Sequence, residues 1–182
     1  MKRFPDGVVV GRFQPFHKGH LIYVLKALEK ADNLYIGITT PGLTPAEHEP
    51  KDPDRFGKNN NPFSFKERKE MIAQSLVGEQ VDLKRVHFVH FKPANLNAWF
   101  KKVPRSAVYF LLLLSSDELK KVSEMRSQGL KVVVLKTKAK NDYKGFDIRS
   151  KILEEKTWQD LVPKAVERIL EKMDLLSRLK IK

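Results

Sequence analysis

The chain has 182 residues, no cysteine, and 35 lysines and arginines against 22 aspartates and glutamates, a formal net charge of +13. That length suits one domain with one sizeable core, and the missing cysteine excludes disulfides, thiolate nucleophiles and cysteine-based zinc sites. No apolar run approaches the roughly 20 residues of a bilayer span, and the apolar stretch in MKRFPDGVVV is too short for a signal peptide, so a cytoplasmic protein without a membrane anchor is expected. The basic excess favours anionic partners. It is spread along the chain with no zinc-finger, RRM or KH signature, so a phosphate-bearing small molecule accounts for it as well as nucleic acid does. A solvated basic surface accounts for most of the lysines.

In chain order, residues 8–10 (VVV) read as a buried strand and residues 18–30 as a helix with Leu21, Val24, Leu25 and Leu28 on one face. Residues 34–38 make a second strand. A long break comes next, PGLTPAEHEPKDPDRFGKNNNP, whose length suits an active-site cover over residues 41–62 that orders on ligand, with plain disorder as the competing reading. Ser64 lies three residues before Glu67, a capping-box spacing that opens a helix through about Val77. A strand is expected near residues 86–91 and a short helix in NLNAWFKKV. AVYFLLLL, residues 107–114, reads as a strand buried on both faces. Residues 117–127 predict a helix ended near Gly129, and residues 131–135 a strand. A helix then begins at Asp147, and a final one runs from Pro163, at a first-turn position, to about Leu179. Strands alternating with helices along one undivided chain predict an α/β fold: a single-domain open parallel sheet with helices on both faces, its C-terminal part, residues 147–182, helical. In such sheets ligands bind beyond the carboxyl ends of the strands, near the switch in strand order.

GRFQPFHKGHL, residues 11–21, lies just past the carboxyl end of the first strand. Gly11 lets the chain turn off the strand, Pro15 fixes part of the loop, and the helix starting near Lys18 offers unpaired N–H groups and a partial positive charge to an anion. His17 and His20 are spaced to lie together at that terminus, where both imidazoles can donate to one anionic group, and Gly19 keeps the approach clear. Metal ligation is disfavoured, because the spacing is HxxH with no adjacent carboxylate or cysteine. Neither a Walker A pattern nor GxGxxG is present, so the phosphate site is of another kind.

On these residues the chain resembles a known family. HKGH resembles the HxGH signature of the nucleotidylyltransferase superfamily, and GRFQPFHKGH is similar to the GRxQPxHxGH opening of archaeal-type nicotinamide mononucleotide adenylyltransferases. NPFSFKER, residues 61–68, is similar to that family's DPFTAGER, with Pro62, Phe63, Glu67 and Arg68 shared. NLNAWF resembles a region carrying an aromatic near the nicotinamide ring, and GFDIRSKILEEKTWQDLVP resembles the family's C-terminal SGTxVRxxM helix start and the helix after it. The resemblance implies a Rossmann-like nucleotidylyltransferase fold over residues 1–182. It also implies adenylyl transfer from ATP to nicotinamide mononucleotide, giving NAD and pyrophosphate, with magnesium carried by the ATP phosphates and no metal held by the protein. His17, His20 and Arg149 are then the catalytic candidates. Gly11, Arg12, Phe13, Gly19, Lys144 and Ile148 are candidates for ATP, and Trp99 and Asn97 for the acceptor. Partners are ATP and a phosphorylated small molecule, with a homo-oligomer suggested and neither membrane nor nucleic acid expected.

Bland readings stand beside these. Arg149 could pair with Glu154 or Asp147 on the surface, and Trp99 could be an ordinary core aromatic rather than a platform for a cationic ring. The chain also departs from the family pattern. Lys144-Gly145-Phe146-Asp147 replaces a small Ser/Gly/Thr stretch, where Phe146 cannot donate the hydroxyl's hydrogen bond and Asp147 would repel a triphosphate unless it turns away as a helix cap; Asn60 stands where the pattern has arginine; and residues 41–60 run longer. The competing functions are therefore adenylyl transfer to another phosphorylated acceptor, such as phosphopantetheine or flavin mononucleotide, and a nucleotide- or RNA-binding module without turnover.

Overall fold

The alternation of apolar runs and amphipathic stretches becomes five strands and seven α-helices in the computed structural model, which describes residues 3–39, 60–91, 96–112, 116–136 and 143–180. The strands are β1 (Phe4–Gly11), β2 (Ala31–Thr39), β3 (Val86–Phe91), β4 (Val108–Leu112) and β5 (Lys131–Leu135). All pairings are parallel, in the order β3-β2-β1-β4-β5. The expected cover over residues 41–62 falls mostly outside the described residues.

Alternation along β1 explains the two layers. Val9 enters a core with α1 (Lys18–Leu28), α2 (Phe65–Gly78), α5 (Gly145–Leu153), α6 (Lys164–Leu170) and α7 (Leu175–Leu179). Val8, on the other face, meets Trp99 of α3 (Leu96–Phe100) and Val122 of α4 (Ser116–Ser127). Helices therefore cover both faces, as a parallel sheet requires.

Two predicted boundaries move. The helix expected from Asp147 starts at Gly145, with Lys144 as N-cap and no side-chain cap bond. The single C-terminal helix is two: α6 ends at Leu170, and Asp174 then caps α7 by accepting from the Ser177 N–H at 3.2 Å. A polar cap inside a run of helical periodicity restarts the helix, and Arg178 of α7 pairs with Glu67 of α2 at 2.6 Å.

The sheet places the site through uneven pairing. β1 pairs with β2 as far as Gly11↔Ile38, but with β4 only at Gly7↔Val108 and Val8↔Tyr109. Beyond Val8 the β1–β4 ladder stops, and the carbonyl of Phe110 accepts instead from the Tyr23 hydroxyl of α1. The switch in strand order lies between these two strands, so their carboxyl ends open the crevice over which residues 12–17 pass.

Candidate active site

Residues 12–17 connect β1 to α1, and their apolar members fold inward. Phe13, Pro15 and Phe16 are buried, with Phe13 in the left-handed region at φ 53°. Gly11 is still part of β1, so its role is not the sharp turn expected of it: a Cβ there would lie 2.7 Å from the Phe13 ring, and only glycine admits that ring. The tucked ring meets His20 edge-on at 4.9 Å. Phe13, a candidate for ATP contact, is 0% exposed, so the fold gives it to the core and not to a ligand.

His17 is the N-cap of α1 and His20 its third residue, and they cap each other. The His20 N–H donates to His17 Nδ1 at 3.2 Å, and the His17 N–H donates to His20 Nδ1 at 3.4 Å. This is a capping box with imidazoles in place of the hydroxyl and carboxylate that Ser64 and Glu67 use at the start of α2. Because each Nδ1 accepts in the cap, each neutral ring carries its proton on Nε2; His17 presents that N–H as a donor, whereas the His20 ring also donates to the Pro15 carbonyl. The rings stack with centroids 3.5 Å apart and 17° between planes. Burial pushes the His17 pKa down to about 3. Burial first, then repulsion from His17 and Arg12, drives His20 well below its ordinary value, against an opposing hydrogen bond to the Pro15 backbone. Both are therefore neutral donors at physiological pH. Lys18 and Gly19, the first two helical residues, add N–H groups without an intrahelical partner, and Gly19 is buried at that end.

Arg149 faces this pair from α5. It is 5% exposed, so the surface pairing with Glu154 or Asp147 is excluded; Glu154 pairs with Lys156 instead. Its Nη1 donates to the Gln14 carbonyl at 2.6 Å and its Nη2 to Asn60 Oδ1. Burial and then the Arg12 charge lower its pKa to about 10. Arg12 is half-buried, and its charge reaches both Arg149 and His20. Two guanidiniums and two neutral imidazoles thus gather about the loop between β1 and α1, an electrostatic setting that an anion relieves.

The earlier start of α5 changes which backbone groups face the site. The unpaired donors are those of Gly145, Phe146 and Asp147, whereas the Ile148 N–H donates to the Lys144 carbonyl at 3.2 Å. Ile148, expected to contact ATP, has its side chain in the core at 0% exposure and its amide inside the helix. Asp147 is the third helical residue rather than a cap, Lys144 is exposed, and the Phe146 ring is 65% exposed. Trp99 is 2% exposed and donates from Nε1 to the Tyr109 hydroxyl at 2.6 Å, with Phe91 edge-on. It is the core aromatic of the two readings, and its buried ring offers no open stacking face. Asn97 falls in α3, and its side chain lies outside the described residues.

Sequence reasoning missed Gln14 and the structural part played by Arg68. Arg68, 1% exposed, donates from Nη1 to the carbonyls of Arg12 at 2.7 Å and Thr39 at 2.8 Å, holding the ends of β1 and β2 together. The signal was its place on the buried face of α2 with Met71, Ile72 and Ser75, where an arginine needs buried acceptors. Among the described residues no three His, Asp or Glu side chains gather as a metal site. A shallow cavity of about 270 Å³, lined by Phe4, Asp6, Ser106 and Lys131, lies at the opposite, amino ends of the strands.

A parallel α/β sheet whose first strand feeds an HxGH helix cap, faced by an arginine from a later helix, defines a nucleotidyltransferase-type domain. The chain belongs to the cytidylyltransferase-like family, whose sequence profile matches residues 8–151, from β1 through most of α5. It is 31% identical over 174 residues to a phosphonoformate cytidylyltransferase of Streptomyces viridochromogenes, covering 96% of this chain and 95% of the relative. It is 32% identical over 184 residues to the nicotinamide-nucleotide adenylyltransferase of Pyrococcus furiosus, covering 100% of this chain and 89% of that one. The corresponding protein of Archaeoglobus fulgidus is 31% identical over 175 residues, covering 94% and 93%. A similar solved structure is the bifunctional NMN adenylyltransferase/ADP ribose pyrophosphatase of Francisella tularensis, complexed with AMP and a manganese ion, with a TM-score of 0.69 at 21% identity. That alignment covers 97% of this chain and 52% of the bifunctional protein, so the chain spans about half its length; the likeness shows the fold.

Proposed function

We propose that the protein transfers the adenylyl group of ATP to nicotinamide mononucleotide, forming NAD and releasing pyrophosphate. The acceptor's phosphate oxygen attacks the α-phosphorus, the bond from that phosphorus to the bridging oxygen breaks, and pyrophosphate leaves with the electron pair. The acceptor brings its own nucleophile, so the protein's work is alignment and stabilisation of charge on the phosphoryl oxygens. The reciprocal capping of His17 and His20 carries the reading, because it holds two neutral imidazoles, with the His17 Nε2–H as a donor, beside the unpaired N–H groups of Lys18 and Gly19. Arg149 and Arg12 supply charge to the phosphate chain, with Gly11, Gly19 and the start of α5 at Lys144 lining its path. In this reading Asn97 lies toward the acceptor and Trp99 supports that side from the core.

The donor set of two imidazoles and two guanidiniums suits phosphate oxygens, not a hard cation, so a magnesium ion would be held by the triphosphate. When bound, it neutralises charge on the pyrophosphate. The reading includes a cytoplasmic location and a homo-oligomer. Among the described residues no helix is long and apolar enough to cross a membrane.

Cytidylyl transfer is the second reading, favoured by the near-full-length likeness to the Streptomyces protein and by Phe146 and Asp147 replacing the hydroxyl-bearing stretch. Pyrophosphate release is measured with ATP or CTP against nicotinamide mononucleotide, phosphopantetheine, flavin mononucleotide and a small phosphonate. Turnover with ATP and nicotinamide mononucleotide is expected. Turnover with CTP alone replaces it by the second reading, and none with any pair refutes both.

A further inference from the structure

Gln14 is 3% exposed, although it sits in a six-residue connection at the mouth of the crevice. Its carboxamide makes a reciprocal pair with the Phe63 backbone: Nε2 donates to the Phe63 carbonyl at 2.9 Å, and the Phe63 N–H donates to Oε1 at 3.0 Å. That pair spans 49 positions and ties the loop to the segment leading into α2. The Gln14 carbonyl accepts from Arg149 Nη1, 135 positions away. A Cβ at Gly145, the first residue of α5, would lie 2.5 Å from the same oxygen, so glycine is what lets α5 press against it. One buried residue thus touches the histidine loop, the lead of α2 and the start of α5.

The physical consequence concerns the guanidinium. Asn60 Oδ1 and the Gln14 carbonyl hold its two terminal nitrogens, which sets its plane and leaves three of its five N–H donors for a ligand. His17 comes three residues after Gln14, in the same buried turn. A carbonyl fixed by its own side chain against α2 therefore sets the distance between Arg149 and the histidine pair. An amide that served only the loop would bond within it; this one bonds outside, and its carbonyl faces the arginine.

We infer that Gln14 is a positioning residue, holding the guanidinium of Arg149 in register with His17 and His20. The nature of the bound polyanion rests on the proposed nucleotidyl transfer, but the positioning does not. The test is a set of double-mutant cycles in which Gln14→Ala and Gly145→Ala are each made with Arg149 intact and with Arg149→Lys. Gly145→Ala displaces α5 from the same carbonyl without removing a polar group, so it carries the test if Gln14→Ala fails to fold. With Arg149 intact, each is expected to lower kcat for pyrophosphate release about 10- to 100-fold. With Arg149→Lys, each is expected to lower it by no more than about twofold further. Equal fold losses in the two backgrounds would mean a merely structural residue and overturn the inference. If the wild type shows no turnover with any nucleotide and acceptor, the functional reading fails separately. The same cycles read as tripolyphosphate affinity by calorimetry then decide the role of Gln14, with coupling to Arg149 supporting it and additivity refuting it.

Discussion

Acid should weaken this fold through His17, by an amount the structure sets. The cap requires a neutral ring, because a protonated imidazole has donors on both nitrogens and Nδ1 can no longer accept from the His20 N–H. Burial holds the folded pKa at about 3, against an ordinary value of 6.5. The unfolded chain therefore takes up the proton first. Stability from this group is fully present above about pH 6.5, declines as the pH falls below it, and is gone by the folded value near 3. Each pH unit in that window is worth about 1.4 kcal/mol, so going from pH 7 to pH 5 costs about 2 kcal/mol from His17 alone. His20 shifts in the same direction and adds to the loss. Urea unfolding of the wild type and of His17→Asn at both pH values isolates the contribution, since asparagine keeps an N-cap acceptor but does not titrate. The wild type should lose about 2 kcal/mol more than the variant over that interval. An equal loss in both proteins would show that His17 is not held neutral by the fold.

Three further outcomes rest on the same contacts. His20→Gln keeps a side chain able to close the capping box but removes the Nε2–H, so pyrophosphate release should fall about 10²- to 10³-fold while urea stability changes by less than about 1 kcal/mol; unchanged turnover would take His20 out of the reaction. Arg68→Met strips donors from the carbonyls of Arg12, Thr39 and Ser64 and should cost about 3 kcal/mol in urea unfolding, whereas a neutral effect would mean that water replaces the guanidinium. Gly11→Ala forces a Cβ against the buried Phe13 ring and should cost about 1–3 kcal/mol and weaken ATP affinity in calorimetry; wild-type affinity would show that the ring does not shape the loop.

Legibility in the sequence was local. Val8 to Val10, the Ser64–Glu67 capping box and the end of α4 before Gly129 at φ 79° are each specified within a few residues, and each appears where its pattern puts it. His17 and His20 were readable for the same reason, since a helix brings residues three apart together. The start of α5 was not. Lys144 makes no side-chain cap bond, so the acidic residue at 147 was the local mark of a terminus, whereas the true first residue, Gly145, packs against the Gln14 carbonyl from far along the chain. The break between α6 and α7 had a local signal, Asp174 three residues before Ser177, which was masked by apolar periodicity continuing across it.

Asn60 shows why motif comparison alone misjudges such a site. Read by position, an asparagine where the related pattern carries arginine removes a cation, which weakens the case for a phosphate site. Read in the fold, Asn60 lies against Arg149 and accepts from its Nη2. Arg149 is already lowered to about 10 by burial and by Arg12, so a third guanidinium there would add repulsion in a poorly solvated place. The asparagine instead supplies an acceptor that no cation could, and it fixes the plane of the fork. The departure trades one positive charge for the orientation of another, and the transfer reading needs that orientation because in-line displacement depends on geometry as much as on charge.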